Sequence, residues 1–203
     1  RDPEMSRGLG DVYKRQEAYY QHNPNAVWIL GVFFRHGKNG APQNYEKARQ
    51  LLEIAYEYEG AGSGFILGNI YEEGLGTTVD LKKAEDYYCA FSEETHDPTG
   101  YSAAAFLYLK NENLTNRDEK IPEYLKKSEA LGGCPLSDTL IGQLYIAGTP
   151  DFPKDINKAV FYLERSKNYK ILGDLFSDEK NIEPNYKLAS YYYEPVSYTH
   201  LRA

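Results

Sequence analysis

The stretch Gly64–Tyr88, GFILGNIYEEGLGTTVDLKKAEDYY, reads as a helix, a glycine-broken loop and a second helix. In its first part Phe65, Gly68 and Tyr71 recur at intervals of three, with Ile66 and Ile70 beside them, which puts an apolar stripe on one side of a helix. Gly74 stops that helix, because glycine tolerates the left-handed backbone that closes one. Gly76 follows in the loop. Asp80 stands three residues before Lys83, where a side-chain oxygen can accept from the first free N–H groups of the second helix. Gly68 and Ala84 are small, so the two helices can approach closely.

The same text returns along the chain. Leu67-Gly68 has counterparts at Leu30-Gly31, weakly at Ala104-Ala105, at Ile141-Gly142 and at Leu172-Gly173, in steps of 37, 37, 37 and 31 residues. An aromatic follows each at a fixed distance: Phe34, Tyr71, Tyr108, Tyr145 and Phe176. A second marker, Lys-Ala, stands at Lys47-Ala48, Lys83-Ala84 and Lys158-Ala159. It survives as Lys120-Ile121 and as Lys187-Leu188. Gly37 and Gly148 repeat the stop, Gly40 repeats the loop glycine, and Asn44 and Asp155 repeat the cap. Two markers marching in step at this period mean a solenoid or array of helix pairs.

Composition fits a packed chain. Of 203 residues 41% are apolar and 14% aromatic, too much for disorder. The net charge of −7, with no basic stripe, argues against nucleic acid and anionic membranes as partners. Chemistry is not signalled. His22, His36, His96 and His200 pair with no second ligand at metal-binding spacing. Cys89 and Cys134 do not make a disulfide framework, which leaves the compartment open. The run Gly60–Gly68 has glycines like those of a nucleotide loop but neither a strand before it nor a Lys-Ser or Lys-Thr after it. No Gly-x-Ser-x-Gly nucleophile turn is present. No cofactor and no small-molecule substrate is expected.

The pattern A-x-x-x-L-G-x-x-Y-x-x-G-x-G, then D-x-x-K-A-x-x-Y-Y, resembles the Sel-one-like repeat, a relative of the tetratricopeptide repeat. Leu67–Tyr88 matches almost fully, and the first and fourth repeats match well. The third departs, with Ala104-Ala105, with Asn111 where glycine stops the helix, and with Pro122 just after its Lys-Ile. The fifth keeps Leu172, Gly173 and Tyr191 with a shortened loop. The 37-residue step and the glycine loop favour this type over a tetratricopeptide array of about 34 residues per repeat. The resemblance implies an all-α fold, an α-solenoid of antiparallel helix pairs in a right-handed superhelix, with about five units plus a half unit. It further implies a non-catalytic scaffold or adaptor that holds a peptide or partner domain in a groove. The alternative is a regulatory repeat arm of a larger enzyme. Membrane association stays open.

The ends fall outside the pattern. Met5–Gln16 and Val196–Ala203 resemble translated sequencing-adapter read-through, so residues 1–16 and 196–203 are read as non-native and 17–195 as one repeat array. Its units are expected near 25–60, 61–98, 99–134, 135–167 and 168–195. Gln16–Gly31 aligns with Lys158–Gly173, which makes the first segment the second helix of a half unit cut from a longer protein.

A recognition surface is suggested by what varies. After each Leu-Gly the second residue is always apolar, while the first, fourth and fifth change freely and share one helix face. First helices of such repeats line the concave side. The expected partner-binding row is therefore Arg35 and His36 in the first repeat, and Asn69, Glu72 and Glu73 in the second. It continues through Phe106, Leu109 and Lys110 in the third, and Gln143 and Ile146 in the fourth. Asn69, Glu72 and Glu73 are expected to face outward, so that charge reversal at Glu72 and Glu73 spares folding.

Overall fold

The computed structural model describes residues 24–59, 61–178 and 183–200. Residues 1–16 and the expected leading half unit up to residue 23 therefore lie outside the described residues. Among the described residues all regular structure is helical, and no strand occurs. The chain divides into two compact units between Leu114 and Thr115.

The first unit holds α1 (Pro24–His36), α2 (Tyr45–Glu59), a 3₁₀ turn (Ala61–Ser63), α3 (Gly64–Glu73), α4 (Leu81–Thr95) and α5 (Thr99–Lys110). α1 packs on α2, α3 on α4, and α5 on α4, with α2 and α3 in contact as well. The second unit holds α6 (Arg117–Ala130), α7 (Pro135–Ala147), α8 (Ile156–Arg165), α9 (Tyr169–Ser177) and α10 (Tyr186–His200). Here α7 pairs with α8 and α9 with α10. α10 runs to His200, into the segment read from sequence as non-native.

One closure joins the helices of a pair, and it explains why the two markers keep step. The cap residue donates its backbone N–H to the carbonyl of the marker aromatic: Asn44 to Phe34 (2.8 Å), Asp80 to Tyr71 (2.9 Å), Asp155 to Tyr145 (3.1 Å) and Asn185 to Phe176 (2.9 Å). The same residue's side chain accepts from the N–H three positions on, in Asn44–Lys47, Asp80–Lys83, Asp155–Lys158 and Asn185–Leu188. The marker lysine then lies over the marker aromatic's ring, Lys47 on Phe34 at 4.3 Å, Lys83 on Tyr71 at 4.8 Å and Lys158 on Tyr145 at 5.2 Å. The two markers are thus the two halves of one contact.

The pair is drawn together by a missing side chain. A Cβ on Gly31 would meet Leu52 at 2.8 Å, and one on Gly142 would meet Leu163 at 2.7 Å. On Gly68 it would run into the ring of Tyr88, and on Gly173 into the ring of Tyr193. This last contact corrects the register of the fifth repeat. Ala189, not Leu188, is the small marker and is buried. Gly173 to Ala189 is 16 residues, as Gly68 to Ala84 is, so the expected short loop disappears. Lys187 is exposed, and Leu188 replaces the marker lysine, packing in the same cluster as Phe176.

The third repeat departs as read, and the structure shows how it copes. α5 ends not in a left-handed glycine but with Asn111 in extended backbone, its side-chain amide donating to the Leu107 carbonyl at 2.8 Å. α6 continues through Pro122, which is buried, although proline brings no N–H to the carbonyl of Asp118.

Several of the abundant tyrosines have buried or half-buried rings and polar tips. Tyr71 donates to Glu53, Tyr88 to Glu72 (2.8 Å), Tyr162 to Glu129 and Tyr192 to Glu164 (2.6 Å). Burial, and then the neighbouring Glu85 carboxylate, pushes Tyr108 up to about 12. Burial and the hydrogen bond to Glu164 do the same to Tyr192, also to about 12. A tyrosine in the unfolded chain ionises near pH 10. The folded state therefore keeps these protons after the unfolded state has lost them. Stability should be complete below pH 10 and should fall as pH rises from 10 towards 12. Urea midpoints followed across that range check this; a flat profile would mean that ionised tyrosines fit the fold equally well.

Candidate interaction surface

In the first unit Arg35 and His36 occupy the last turn of α1, the former half-buried and the latter exposed. Phe106 on α5 is 43% exposed, a large ring left in solvent, with Leu109 half-buried and Lys110 exposed beside it. On α3 the expectation fails in part. Glu73 is exposed, but Asn69 is half-buried and turns its amide back to the Phe65 carbonyl at 2.8 Å. Glu72 is inward-held: its side chain is 12% exposed, it accepts from the Tyr88 hydroxyl and it takes Lys110 Nζ at 3.3 Å. Burial, and then this carboxylate, drives the Tyr88 phenol far above its ordinary range.

Glu72 is therefore a fixed part of the α3–α4 pair and a bridge to α5. Glu72→Lys should destabilise the protein by about 2 kcal/mol, since it strands a buried phenol and sets two ammonium groups together. Glu73→Lys should change stability by no more than about 0.5 kcal/mol. Denaturant midpoints of the two variants decide it; equal losses would remove the distinction.

In the second unit Gln143 and Ile146 come together with the first helix of the fifth repeat. They and Ala147 form one wall of a depression of about 440 Å³, whose other wall is Ile171, Asp174 and Leu175 of α9 with Asp178 just past its end. Ile171 and Leu175 went unread as surface residues because one precedes the marker and the other holds the ever-apolar position. A second depression of about 370 Å³ lies where Ile121 and Pro122 of α6 face Leu144 and the turn Thr149–Phe152.

Among the described residues no group of three His, Cys, Asp or Glu could hold a metal ion. No helix among them is long and apolar enough to cross a membrane.

The sequence profile of the Sel1 repeat matches residues 24–57, 65–96, 136–168 and 171–195, more than half of the chain. The chain belongs to the Sel1 repeat family. The unmatched interval contains α5 and α6, the third repeat, in which Ala104-Ala105, Asn111 and Pro122 replace the family's residues. No curated protein matches the chain. Among solved structures it resembles a Sel1 repeat protein from Oxalobacter formigenes, with a TM-score of 0.79 at 20% identity over 93% of this chain and 78% of that one. It also resembles c5321, a protective antigen present in uropathogenic Escherichia coli strains and displaying an SLR fold (TM-score 0.74, 18% identity, 93% of this chain and 41% of that one). A third likeness is to the immunity protein Pa5087 of Pseudomonas aeruginosa, at TM-score 0.52 and 16% identity, over 90% of this chain and 70% of that one. At these identities the likenesses bear on the fold, which is the helix-pair solenoid of Sel1 repeat proteins. Sel1 repeats in general mediate contacts between proteins and are typically scaffolds, not catalysts.

Proposed function

We propose that this Sel1 repeat protein is a non-catalytic adaptor that holds a peptide or a partner domain on the variable row of its first helices. The observation that carries the reading is the α7–α9 depression. Gln143, Ile146 and Asp174, at positions that the repeat's own packing leaves free to vary, open there onto a shared hollow. A hollow of a few hundred Å³ with an apolar floor and a few polar groups at its edge is the usual form of a recognition site. Phe106 supplies an exposed ring on the corresponding face of α5 in the first unit.

The test is a binding assay against a partner recovered with the wild-type protein, run on two single variants. Phe106→Ala truncates the exposed ring. Gln143→Arg fills the mouth of the depression without touching the core. Truncation of a desolvated anchor should cost about 2 kcal/mol or more, roughly thirtyfold in affinity. Both variants should melt with the wild type. Undiminished capture by both would move recognition off the first helices, and the turn at Thr149 would be examined next.

A further inference from the structure

We infer that the hollow between the start of α6 and the turn Thr149–Phe152 is a second recognition pocket, which takes an arginine side chain of a partner protein. It is separate from the α7–α9 depression and does not depend on docking there.

The repeat itself has no need of this hollow. In the second repeat the loop between the paired helices sits directly on the start of the preceding second helix. A Cβ on Gly76 would stand 2.2 Å from the Glu46 nitrogen and 2.5 Å from the Tyr45 carbonyl carbon, so only glycine allows that contact. The fourth repeat has no glycine between Gly148 and its cap Asp155. Its loop faces α6 at Asp118 and Glu119, which stand before Ile121 as Tyr45 and Glu46 stand before Ala48. Here Pro150 and Asp151 do not close onto the helix, and a hollow of about 370 Å³ remains.

The start of α6 also differs in kind. At the same two positions the other second helices carry Tyr45-Glu46, Leu81-Lys82, Ile156-Asn157 and Tyr186-Lys187. The first member is a large aromatic or aliphatic residue in each of them, and in α6 it is Asp118. A single acid on the first turn of a helix is ordinary. Two together occur in none of the other four. Both carboxylates are exposed, and among the described residues neither makes an ion pair. Asp151 is answered by Lys126 at 2.8 Å, and Lys120 pairs with Glu123 at 3.6 Å. No lysine or arginine among the described residues lines the hollow. Its floor is apolar, with Ile121, Pro122 and Phe152 buried and Leu144 half-buried.

An apolar floor under an acidic rim suits a side chain with an apolar stem and a cationic head. Arginine meets this better than lysine. Its guanidinium is more weakly hydrated than an ammonium group, and its fork of N–H groups matches a carboxylate. An acidic side chain meets like charge at the rim, so the pocket selects by sign as well as by shape.

The experiment follows isoleucine methyl signals of the full chain by NMR while capped Gly-Xaa-Gly peptides are added, with arginine, citrulline or lysine as Xaa. Citrulline keeps the length and planarity of arginine without its charge. The proteins are wild type, Asp118→Asn/Glu119→Gln, and Glu57→Gln/Glu112→Gln, which removes the same charge from exposed sites in the first unit. The arginine peptide should shift Ile121 more than Ile146 or Ile171. Its affinity should fall roughly tenfold on the rim variant and less than about twofold on the control. On wild type, citrulline and lysine should both bind more weakly than arginine. Citrulline binding as tightly as arginine, or equal losses on the two variants, would overturn the inference. Lysine binding as tightly as arginine would overturn the choice of arginine. Shifts absent at Ile121, or centred on Ile146 and Ile171, would remove the pocket from recognition. The peptide comparison uses wild-type protein alone, so it decides the matter even if the rim variant misfolds.

Discussion

Gly100→Ala is expected to lower stability by about 3 kcal/mol, the upper end of what overpacking a closely packed site does. A Cβ at Gly100 would overlap the backbone carbonyl oxygen of Tyr88 and come within 2.6 Å of Ser92 Oγ. A clash with backbone cannot be relieved by turning a side chain. α5 would have to draw back from α4, and that contact seats Tyr101, Ser102 and Ala104, all buried. Ser92 would lose its place too, and its hydroxyl takes the Tyr101 N–H at 2.9 Å. For a chain of this size the melting temperature should fall by about 6–12 °C. Gly62→Ala is the control, since nothing lies within 4 Å of the added atom and its backbone is not left-handed. A Gly100→Ala protein that melts with the control would show that α4 and α5 do not approach as described.

Arg165→Ala should cost nearly as much, about 3 kcal/mol, the low end for breaking a buried pair because water reaches the arginine side. Asp138 is only 5% exposed, and its carboxylate receives two guanidinium bonds, Nε to Oδ2 at 2.6 Å and the terminal nitrogen to Oδ1. Without Arg165 a charge stays buried between the start of α7 and the end of α8. The side chain also lies over the Tyr162 ring at 5.0 Å, so Arg165→Met, which keeps the aliphatic stem, is the second variant. Methionine should lose almost as much as alanine if the ion pair dominates. Combining Arg165→Ala with Asp138→Asn should then restore part of the loss, because the stranded charge is gone. Urea unfolding of the wild type and the three variants measures these losses. A double variant no more stable than Arg165→Ala alone would show packing, not charge, to be the main loss.

What could be read from the chain was what is local. Asn44, Asp80 and Asp155 were legible as caps because a cap acts three residues away on its own helix. The markers were legible because they recur, but the contact of Lys83 with Tyr71 was not, since a period says nothing of which residues touch. Lys187 misled for the same reason. It copied the marker's letters one position early, and only Gly173 against Tyr193 fixed the true alignment. Glu72 was misread because its helix face was inferred from α3 alone, while the group that claims it, Tyr88, belongs to the paired helix. Gln143 and Ile146 were named from the sequence, and they line one wall of the α7–α9 hollow. The hollow was not legible, because its other wall, Ile171 and Leu175, looked like ordinary core.

The tie from cap residue to marker aromatic uses none of the variable positions, and it closes a pair using backbone atoms, one acid or amide and one lysine. On the proposed function, recognition and closure are thereby written in separate letters of the repeat. A first helix could in principle be rewritten at its free positions, as in a row of interchangeable type, while the pair shuts as before. Glu72, a position of the proposed row, is also tied to the paired helix through the Tyr88 hydroxyl. A graft of foreign specificity onto the second repeat would have to leave that carboxylate in place, whereas the fourth repeat, with Gln143 and Ile146, imposes no such condition and is the better place to begin.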